Sequence, residues 1–426
     1  MHILMLTPEY PPHVVGGLGR HVAELSHALA ELGSRVTVLH GLRRHEAADE
    51  VEERGALTVL RARDHAPGPP GFAQEVVQRN VAMLQAVLQR VAAGERFDVV
   101  HAHDWLTAHA ARAVKHALQI PLIATIHATE MGRNGGLFNE VQRHISDTEW
   151  WLAFEAWRVI CCSRAMREEL VRVFQVPLDK LHVIPNGVAP EPRTASPGEI
   201  LEARRRYAAD SERLIFFVGR LVYEKGVDLL IRALPRVLAA HPQTVLVVAG
   251  KGPEREGLEA LARDLGVWGR VRFAGHIGDG ERNRLYQAAD VAVVPSRYEP
   301  FGIVALEAMA LGAPLVAAGA GGLAEVVEHG RTGLLFRPGD PWSLAEQLIA
   351  ALDFPALRAA LRRHAREAVR ERFDWKRVAE RTLDVYRSVL YAARAARQDA
   401  RAGGARLVPV GGPGAQASSA QQRPGG

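Results

Sequence analysis

The sequence has 426 residues, of which 48% are hydrophobic and 24% charged, values that suit a soluble globular protein of two or more domains. This composition excludes a mostly disordered chain and a small scaffold that depends on disulfides. The net charge is +5, but the arginines alternate with acidic residues along predicted helices, so we predict no nucleic-acid partner. Only five of the 53 basic residues are lysines, which makes a lysine inside a motif notable.

The cysteines and the N-terminus indicate an intracellular chain. Cys161 and Cys162 are adjacent, a spacing that suits neither a structural disulfide nor a metal site. No basic segment precedes an apolar one at the start, and no apolar run reaches the length of a membrane span. We therefore expect a reduced, cytoplasmic protein that does not span a membrane, while peripheral membrane attachment stays open.

The first half of the chain alternates short apolar runs with amphipathic stretches. His2–Thr7 is predicted to be a strand, and Gly17–Leu32 a helix with one apolar face. Strands that are apolar throughout and are separated by helices indicate a parallel sheet covered on both faces. The other strands predicted here are Arg35–His40, Leu57–Leu60, Phe97–Ala102, Leu122–Ile126 and Val159–Cys162.

The same pattern restarts in the second half. Leu181–Val188 ends the first half with a Pro-Asn-Gly turn, and the proline-rich Ala189–Gly198 is predicted to be a linker. The strands predicted after it are Leu214–Val218, Thr244–Ala249, Val271–Phe273, Val291–Val294 and Pro314–Ala318.

This restart predicts the domain organisation. We expect two doubly wound α/β domains, residues 1–188 and 189–374, with a ligand site in the cleft between them. A terminal helix is expected over 375–400. Residues 401–426 are rich in Gly, Ala and Gln and are predicted to be a disordered tail.

The strongest chemical signal is the sequence YEPFGIVALE at Tyr298–Glu307. Glu299 is expected in the cleft before a helix, and Glu307 one and a half turns into it, within reach of vicinal hydroxyls. The N-terminus of such a helix can hold an anion such as a diphosphate. The alternative is a helix with ordinary exposed acids. The backbone N–H groups that open this helix belong to Gly302, Ile303 and Val304.

A second signal is FVGRLVYEKG, in which Arg220 and Lys225 follow an apolar strand. Two cations there can neutralise a leaving diphosphate, and the chain has no Asp-x-Asp motif to hold Mg²⁺ for that purpose. The alternative is a solvated pair on a turn. A third, weaker signal is Gly17, in a glycine turn that enters a helix and can approach a phosphate.

The remaining signals are polar residues at strand ends in the first half. His101, His103 and Asp104 stand at the end of one strand, and His127 comes just after the next. A metal site is less favoured here than structural packing, because no further ligands complete a recognisable spacing. Either interpretation places these side chains in the cleft.

In this order, the motifs resemble those of the retaining nucleotide-sugar glycosyltransferases of family 4 (glycosyltransferase group 1), which include bacterial glycogen and starch synthases. The resemblance runs from the first strand to about Tyr391 and includes Pro-Asn-Gly-Val at the predicted domain junction. It implies a GT-B fold, in which two Rossmann-like domains face a cleft and the last helix crosses back to the first domain.

The resemblance also implies roles for the matching residues. Arg220 and Lys225 would bind the donor diphosphate and stabilise its leaving charge. Glu299 would contact the sugar near the reacting centre, and Glu307 would hold the ribose hydroxyls. Backbone amides of Gly17, Gly302, Ile303 and Val304 would bind phosphate or sugar oxygens. His127 would contact the transferred sugar, and Asp104 would lie beside the sugar or the acceptor. His276 would contact the nucleobase.

One position departs from the family pattern. Glycogen synthases that use ADP-glucose usually have a lysine where this chain has Val14. The donor, a UDP-, ADP- or GDP-sugar, and the acceptor are therefore both left open. Arg20 and His21 either make a replacement contact with an anion or lie on the surface.

We predict a retaining glycosyltransferase that needs neither metal nor cofactor. It would move a hexosyl unit, with glucosyl preferred, to an acceptor hydroxyl, and an α-glucan is one candidate acceptor. The alternatives are a sugar-nucleotide 2-epimerase of the same fold and a non-catalytic protein that binds nucleotide sugars or glycans.

Overall fold

A computed structural model describes residues 1–14, 16–42, 51–63, 71–189 and 194–402, without the side chains of 400–402. It contains two Rossmann-like α/β units and a long terminal helix, so the predicted GT-B fold is confirmed. Four residues of the predicted linker and the tail from residue 403 onward lie outside the described residues. The domain limits at 188 and 374 stay predictions.

All six strands predicted in the first half are present, two with the predicted limits and four with ends displaced by one to three residues. The helices and strands are β1 (His2–Thr7), α1 (Gly17–Glu31), β2 (Arg35–Leu42), β3 (Val51–Arg54), β4 (Leu57–Arg63), α2 (Phe72–Ala92), β5 (Val99–His103), α3 (Ala108–Leu118), β6 (Leu122–Ile126), α4 (Glu130–Asn134), α5 (Glu140–Glu155), β7 (Arg158–Cys161), α6 (Arg164–Phe174) and β8 (Leu181–Val183).

The second half also follows the predicted alternation. Its elements are α7 (Pro197–Arg205), β9 (Arg213–Val218), α8 (Val227–Ala240), β10 (Thr244–Ala249), α9 (Arg255–Asp264), β11 (Val271–Gly275), α10 (Asp279–Ala288), β12 (Val291–Val294), α11 (Ile303–Leu311), β13 (Leu315–Ala318), α12 (Leu323–Val326), β14 (Leu334–Phe336), α13 (Pro341–Asp353), α14 (Pro355–Arg372) and α15 (Trp375–Ala402).

The first sheet has the order β3-β4-β2-β1-β5-β6-β7-β8. All its pairs are parallel except β3 with β4. The sequence did not predict β3, because a short edge strand with the sequence VEER has no apolar run to reveal it. The strand order reverses direction between β1 and β5, which is where ligands of such sheets bind.

The second sheet is entirely parallel, with the order β11-β10-β9-β12-β13-β14. This is the strand order of a dinucleotide-binding Rossmann fold, and it reverses between β9 and β12. The sequence did not predict β14, which has only three residues. Strands such as β1 and β10 are buried throughout because helices cover both faces of each sheet.

The terminal helix α15 crosses back to the first half and packs against α1. Its Tyr386 is fully buried, with the hydroxyl 2.6 Å from Nδ1 of His101. The ring of Trp375 lies against Gly187, where an added Cβ would come within 2.6 Å of the indole. Among the described residues, no helix is both long enough and apolar enough to cross a membrane.

Candidate active site

The polar residues predicted from the sequence lie where the strands end, on facing edges of the two sheets. On the first sheet, Gly17 follows β1, Asp104 follows β5 and His127 follows β6. His103 is the last residue of β5, because this strand starts and ends later than predicted. On the second sheet, Arg220 and Lys225 follow β9, Glu299 follows β12, Glu307 lies in α11, and His276 is exposed after β11.

The two glycine turns meet across the cleft. A Cβ added to Gly17 would lie 2.9 Å from Cδ1 of Ile303, so the start of α1 contacts the start of α11. Gly302 has a φ of +103°, and a Cβ there would lie 2.6 Å from Leu323, so a larger residue does not fit. Hydrogen bonding within α11 begins with the amide of Ala305, which donates to the carbonyl of Gly302. The amides before Ala305 have no acceptor within the helix, so another group can accept their hydrogen bonds.

Lys225 and Glu299 form an ion pair at the end of the second sheet. The ammonium Nζ lies 2.7 Å from Oε2 of Glu299, which also accepts a hydrogen bond of 3.3 Å from Ser296. Gly226 has a φ of +66° and approaches Pro295 so closely that a Cβ would lie 2.2 Å from its carbonyl oxygen. This close approach brings the end of the Lys225 turn against the segment that carries Glu299.

Arg220 is exposed, and its guanidinium lies 3.0 Å from a carboxylate oxygen of Glu224. The sequence predicts that Arg220 and Lys225 are two cations that bind a diphosphate. In the structure, each of the two cations has a carboxylate of the chain as its partner.

Arg20 joins the two halves of the chain through a fork of two ion pairs. One guanidinium nitrogen lies 2.6 Å from Glu307 Oε1, and the other lies 2.6 Å from Asp279 Oδ1. Arg20 is therefore partly buried between carboxylates from the opposite side of the cleft and is not a free surface residue. Its replacement contact with a donor anion stays a prediction.

His21, in contrast, lies neither on the surface nor against an anion. It is 4% exposed, and its Nδ1 lies 2.8 Å from the side-chain oxygen of Asn186. His21, His103 and His127 form a cluster in which one nitrogen of each ring lies within 4.8 Å of the others. Burial lowers the pKa of all three, that of His127 to about 3, so the rings are neutral at pH 7.

Asp104 holds the backbone of His127, one of the three residues of this cluster. It has a φ of +59°, an uncommon conformation for a residue with a side chain, and its carboxylate accepts a 2.7 Å hydrogen bond from the backbone amide of His127. Burial raises the pKa of Asp104 to about 6, and the guanidinium of Arg133 partly opposes that shift.

The sequence did not reveal the contacts that hold the Glu299 segment against the first half. The hydroxyl of Tyr298 accepts a hydrogen bond from the amide of Thr129 at 3.2 Å and donates one to Glu169 at 2.9 Å. On the other side of Glu299, Ser163 donates a 2.6 Å hydrogen bond to the carbonyl of Pro300. Tyr298 stands inside the motif that we recognised, but nothing nearby in the sequence identifies its partners.

Comparisons with known proteins agree with this arrangement. Residues 15–192 match the family model described as Glycosyltransferase Family 4, and residues 200–368 match the model described as Glycosyl transferases group 1. The glycogen synthase of Mycobacterium tuberculosis H37Rv is 40% identical over 93% of this chain and 96% of its own. A D-inositol 3-phosphate glycosyltransferase of Acidothermus cellulolyticus is 34% identical over 89% of this chain and 87% of its own.

Among solved structures, sucrose-phosphate synthase from Thermosynechococcus elongatus superposes with a TM-score of 0.78. It is 26% identical and covers 92% of this chain and 99% of its own. The relatives and the two family models extend over both sheets and over the cleft between them. The chain therefore belongs to glycosyltransferase family 4, and its predicted function as a glycosyltransferase is confirmed.

Proposed function

We propose that this glycosyltransferase transfers a glucosyl unit from a nucleoside diphosphate sugar, with retention of configuration and without a metal ion. The observation that carries the proposal is the Lys225–Glu299 ion pair at the end of the second sheet. The ammonium and the carboxylate lie 2.7 Å apart, which supports a phosphate contact by Lys225 beside a sugar contact by Glu299.

The diphosphate is proposed to lie against Lys225, Arg220 and the first amides of α11. Its negative charge would compete with Glu224 and Glu299 for the two cations, since these carboxylates are their present partners. As the bond from sugar to phosphate breaks, charge develops on the leaving oxygen, and fixed cations and amides stabilise that charge. The reaction then needs no nucleophile from the protein, because the leaving phosphate can take the acceptor proton.

The rest of the donor would extend along the same rim. Glu307 is proposed to accept hydrogen bonds from the ribose hydroxyls, and the exposed His276 to contact the nucleobase. His127 and Asp104 are proposed to lie beside the transferred sugar, opposite Glu299. The contact between Gly17 and Ile303 supports this arrangement, because it brings the two rims together.

Two considerations support a reaction without metal. The sequence lacks an Asp-x-Asp motif. Glu299 and Glu307 are each bonded to a basic side chain, so each carboxylate is already neutralised. The acceptor is proposed to be an α-glucan, by analogy with the relative named glycogen synthase, and action in the cytoplasm stays a prediction.

The test is product analysis by NMR after incubation with UDP-, ADP- and GDP-glucose and a panel of acceptors that includes glycogen and inositol phosphate. A new α-glycoside, formed equally well with EDTA present, supports the proposal. A β-glycoside, or loss of activity in EDTA that Mg²⁺ restores, contradicts it. Donor epimerised without a glycoside would indicate the epimerase, and binding without turnover would indicate a binding protein.

A further inference from the structure

The cluster of His21, His103 and His127 has a property that the proposed reaction does not use. Three different elements contribute it, namely α1, β5 and the loop after β6. One ring nitrogen of each residue lies within 4.8 Å of the other two. We propose that these three imidazoles bind a transition metal ion of the Zn²⁺ type at the floor of the cleft.

The distances suit such an ion after a small adjustment. A Zn–N bond is about 2.1 Å, so two nitrogens on one ion lie at most about 4.2 Å apart. His103 Nδ1 and His127 Nε2 are already 3.2 Å apart. All three nitrogens lie within 4.8 Å of one another, so His21 would have to move toward the others by at most about 0.6 Å.

The ring of His21 has a nitrogen atom without a partner. Its Nε2 is buried and has no hydrogen-bond partner among the described residues. His21 is only 4% exposed, so bulk water does not reach this nitrogen freely. Buried polar atoms without partners are rare in folded proteins and call for a ligand, a water or an ion.

The surroundings orient His21 as a metal ligand requires. Its Nδ1 lies 2.8 Å from Oδ1 of Asn186, an atom that can only accept, so Nδ1 carries the proton and Nε2 keeps its lone pair. Metal-bound histidines usually have such an acceptor on the other ring nitrogen. Asp104, bonded to the amide of His127, adds a carboxylate beside the cluster, although Arg133 counteracts part of its charge.

His101 stacks on His103 with ring centroids 4.2 Å apart, yet it is not a fourth ligand. Both of its nitrogens are engaged, one with Tyr386 at 2.6 Å and one with Thr125 at 2.7 Å. The site therefore offers three protein ligands and leaves a fourth position open. His127 is half-buried at the end of β6, which gives the ion a route from the cleft.

The experiment titrates the full chain, without a histidine tag and freed of metal by EDTA and dialysis, with Zn²⁺ and Co²⁺. We expect one ion per chain by calorimetry, a visible Co²⁺ spectrum of tetrahedral type, and three imidazole ligands by X-ray absorption of the Zn²⁺ form. His21→Asn and His103→Asn should each weaken binding at least about tenfold and abolish the Co²⁺ bands. Asn186→Ala should weaken it about 10- to 100-fold, the usual effect of losing an orienting partner.

The matched control is His182→Asn, which removes another histidine whose Nε2 is buried without a partner. It should bind Zn²⁺ like the unchanged chain. Fewer than three imidazoles in the X-ray absorption of the unchanged chain, or unaltered binding by folded His21→Asn, would overturn the proposal. The X-ray absorption result decides the question even if the ligand variants fail to fold.

A consequence rests on the proposed function, which places His127 at the transferred sugar. Zn²⁺ bound here should inhibit glycosyl transfer, and EDTA should reverse the inhibition. If three imidazoles bind Zn²⁺ while transfer continues at its full rate, the metal site stands and the proposed role of the His127 side chain fails.

Discussion

Arg20 and Glu307 are bonded at 2.6 Å across the cleft, although 287 positions separate them in the sequence. The side chain of Glu307 is 12% exposed and that of Arg20 is 34% exposed, so the pair is partly shielded from water. Glu307 is the residue proposed to hold the ribose. Its orientation in the structure is therefore set mainly by the opposite half of the chain, and Arg282 of its own half lies 3.7 Å away.

The first prediction concerns Arg20→Ala. Without the guanidinium, Glu307 loses the contact that orients it, and we expect the KM for the donor to rise about tenfold while kcat changes less. A hydrogen bond to a charged group contributes about 1.5–3 kcal/mol, enough for such a change. Asp279→Asn is the matched control, since it keeps the Arg20–Glu307 pair and changes only the contacts of Asp279 with Arg20 and Arg282. Equal KM values for Arg20→Ala and the unchanged enzyme would show that the pair does not orient Glu307.

The second prediction concerns the cations after β9. Lys225→Ala and Arg220→Ala should each lower kcat by about 10²–10³, the usual cost of losing one group that stabilises a leaving charge. Lys376→Ala, at an exposed position in the first turn of α15, is the control and should leave kcat unchanged. Circular dichroism and thermal unfolding verify that the variants fold. Turnover at the original rate in both cation variants would refute the diphosphate assignment.

The third prediction concerns Tyr298→Phe. This change removes the hydroxyl that connects Thr129 to Glu169 and leaves a buried carboxylate with one donor fewer. We expect the free energy of unfolding to fall by about 1–3 kcal/mol and kcat to fall with it, because the neighbouring Glu299 is held less firmly.

The control for Tyr298→Phe is Tyr207→Phe, whose hydroxyl bonds Glu281 at 3.0 Å within the second half of the chain. Denaturant unfolding and steady-state kinetics on both variants separate the effects. If kcat is the same for both, Tyr298 has only a structural role.

The fourth prediction concerns the pH dependence of stability. Glu149 is 1% exposed, and burial raises its pKa from 4.5 to about 8. The folded state therefore binds the proton more tightly than the unfolded state, so this residue makes stability fall as the pH rises from about 4.5 to 8.

Glu149→Gln removes that titration. Relative to the unchanged chain, its free energy of unfolding should increase with pH across this window, by at most about 1.4 kcal/mol per pH unit, and then level off. Urea unfolding at several pH values measures the difference, with Glu140→Gln, at an exposed position on the same helix, as the control. A difference that does not vary with pH would mean that Glu149 titrates normally in the folded protein.

Local rules account for the parts that the sequence predicted well. Apolar runs of four to six residues between amphipathic stretches revealed most strands, because both faces of each sheet are covered. Gly302 was recognised as the entry to α11, since the turn from strand to helix needs a residue that tolerates a φ of +103°. The strands that were missed, β3, β8 and β14, are short edge strands without a clear pattern.

Local patterns along the chain predict two successive Rossmann-like domains and identify the loops that carry the charged and glycine residues of the site. Three contacts emerge only in the folded chain, namely the pairing of Arg20 with Glu307, the burial of His21 against Asn186, and the link from Tyr298 to Glu169. Periodicity and turn preferences act over a few residues, whereas these partners are 129 to 287 positions apart. Two of these contacts depend on how one half of the chain packs against the other, and the contact of His21 with Asn186 depends on how α1 packs against the loop after β8. No local pattern in the chain encodes either orientation.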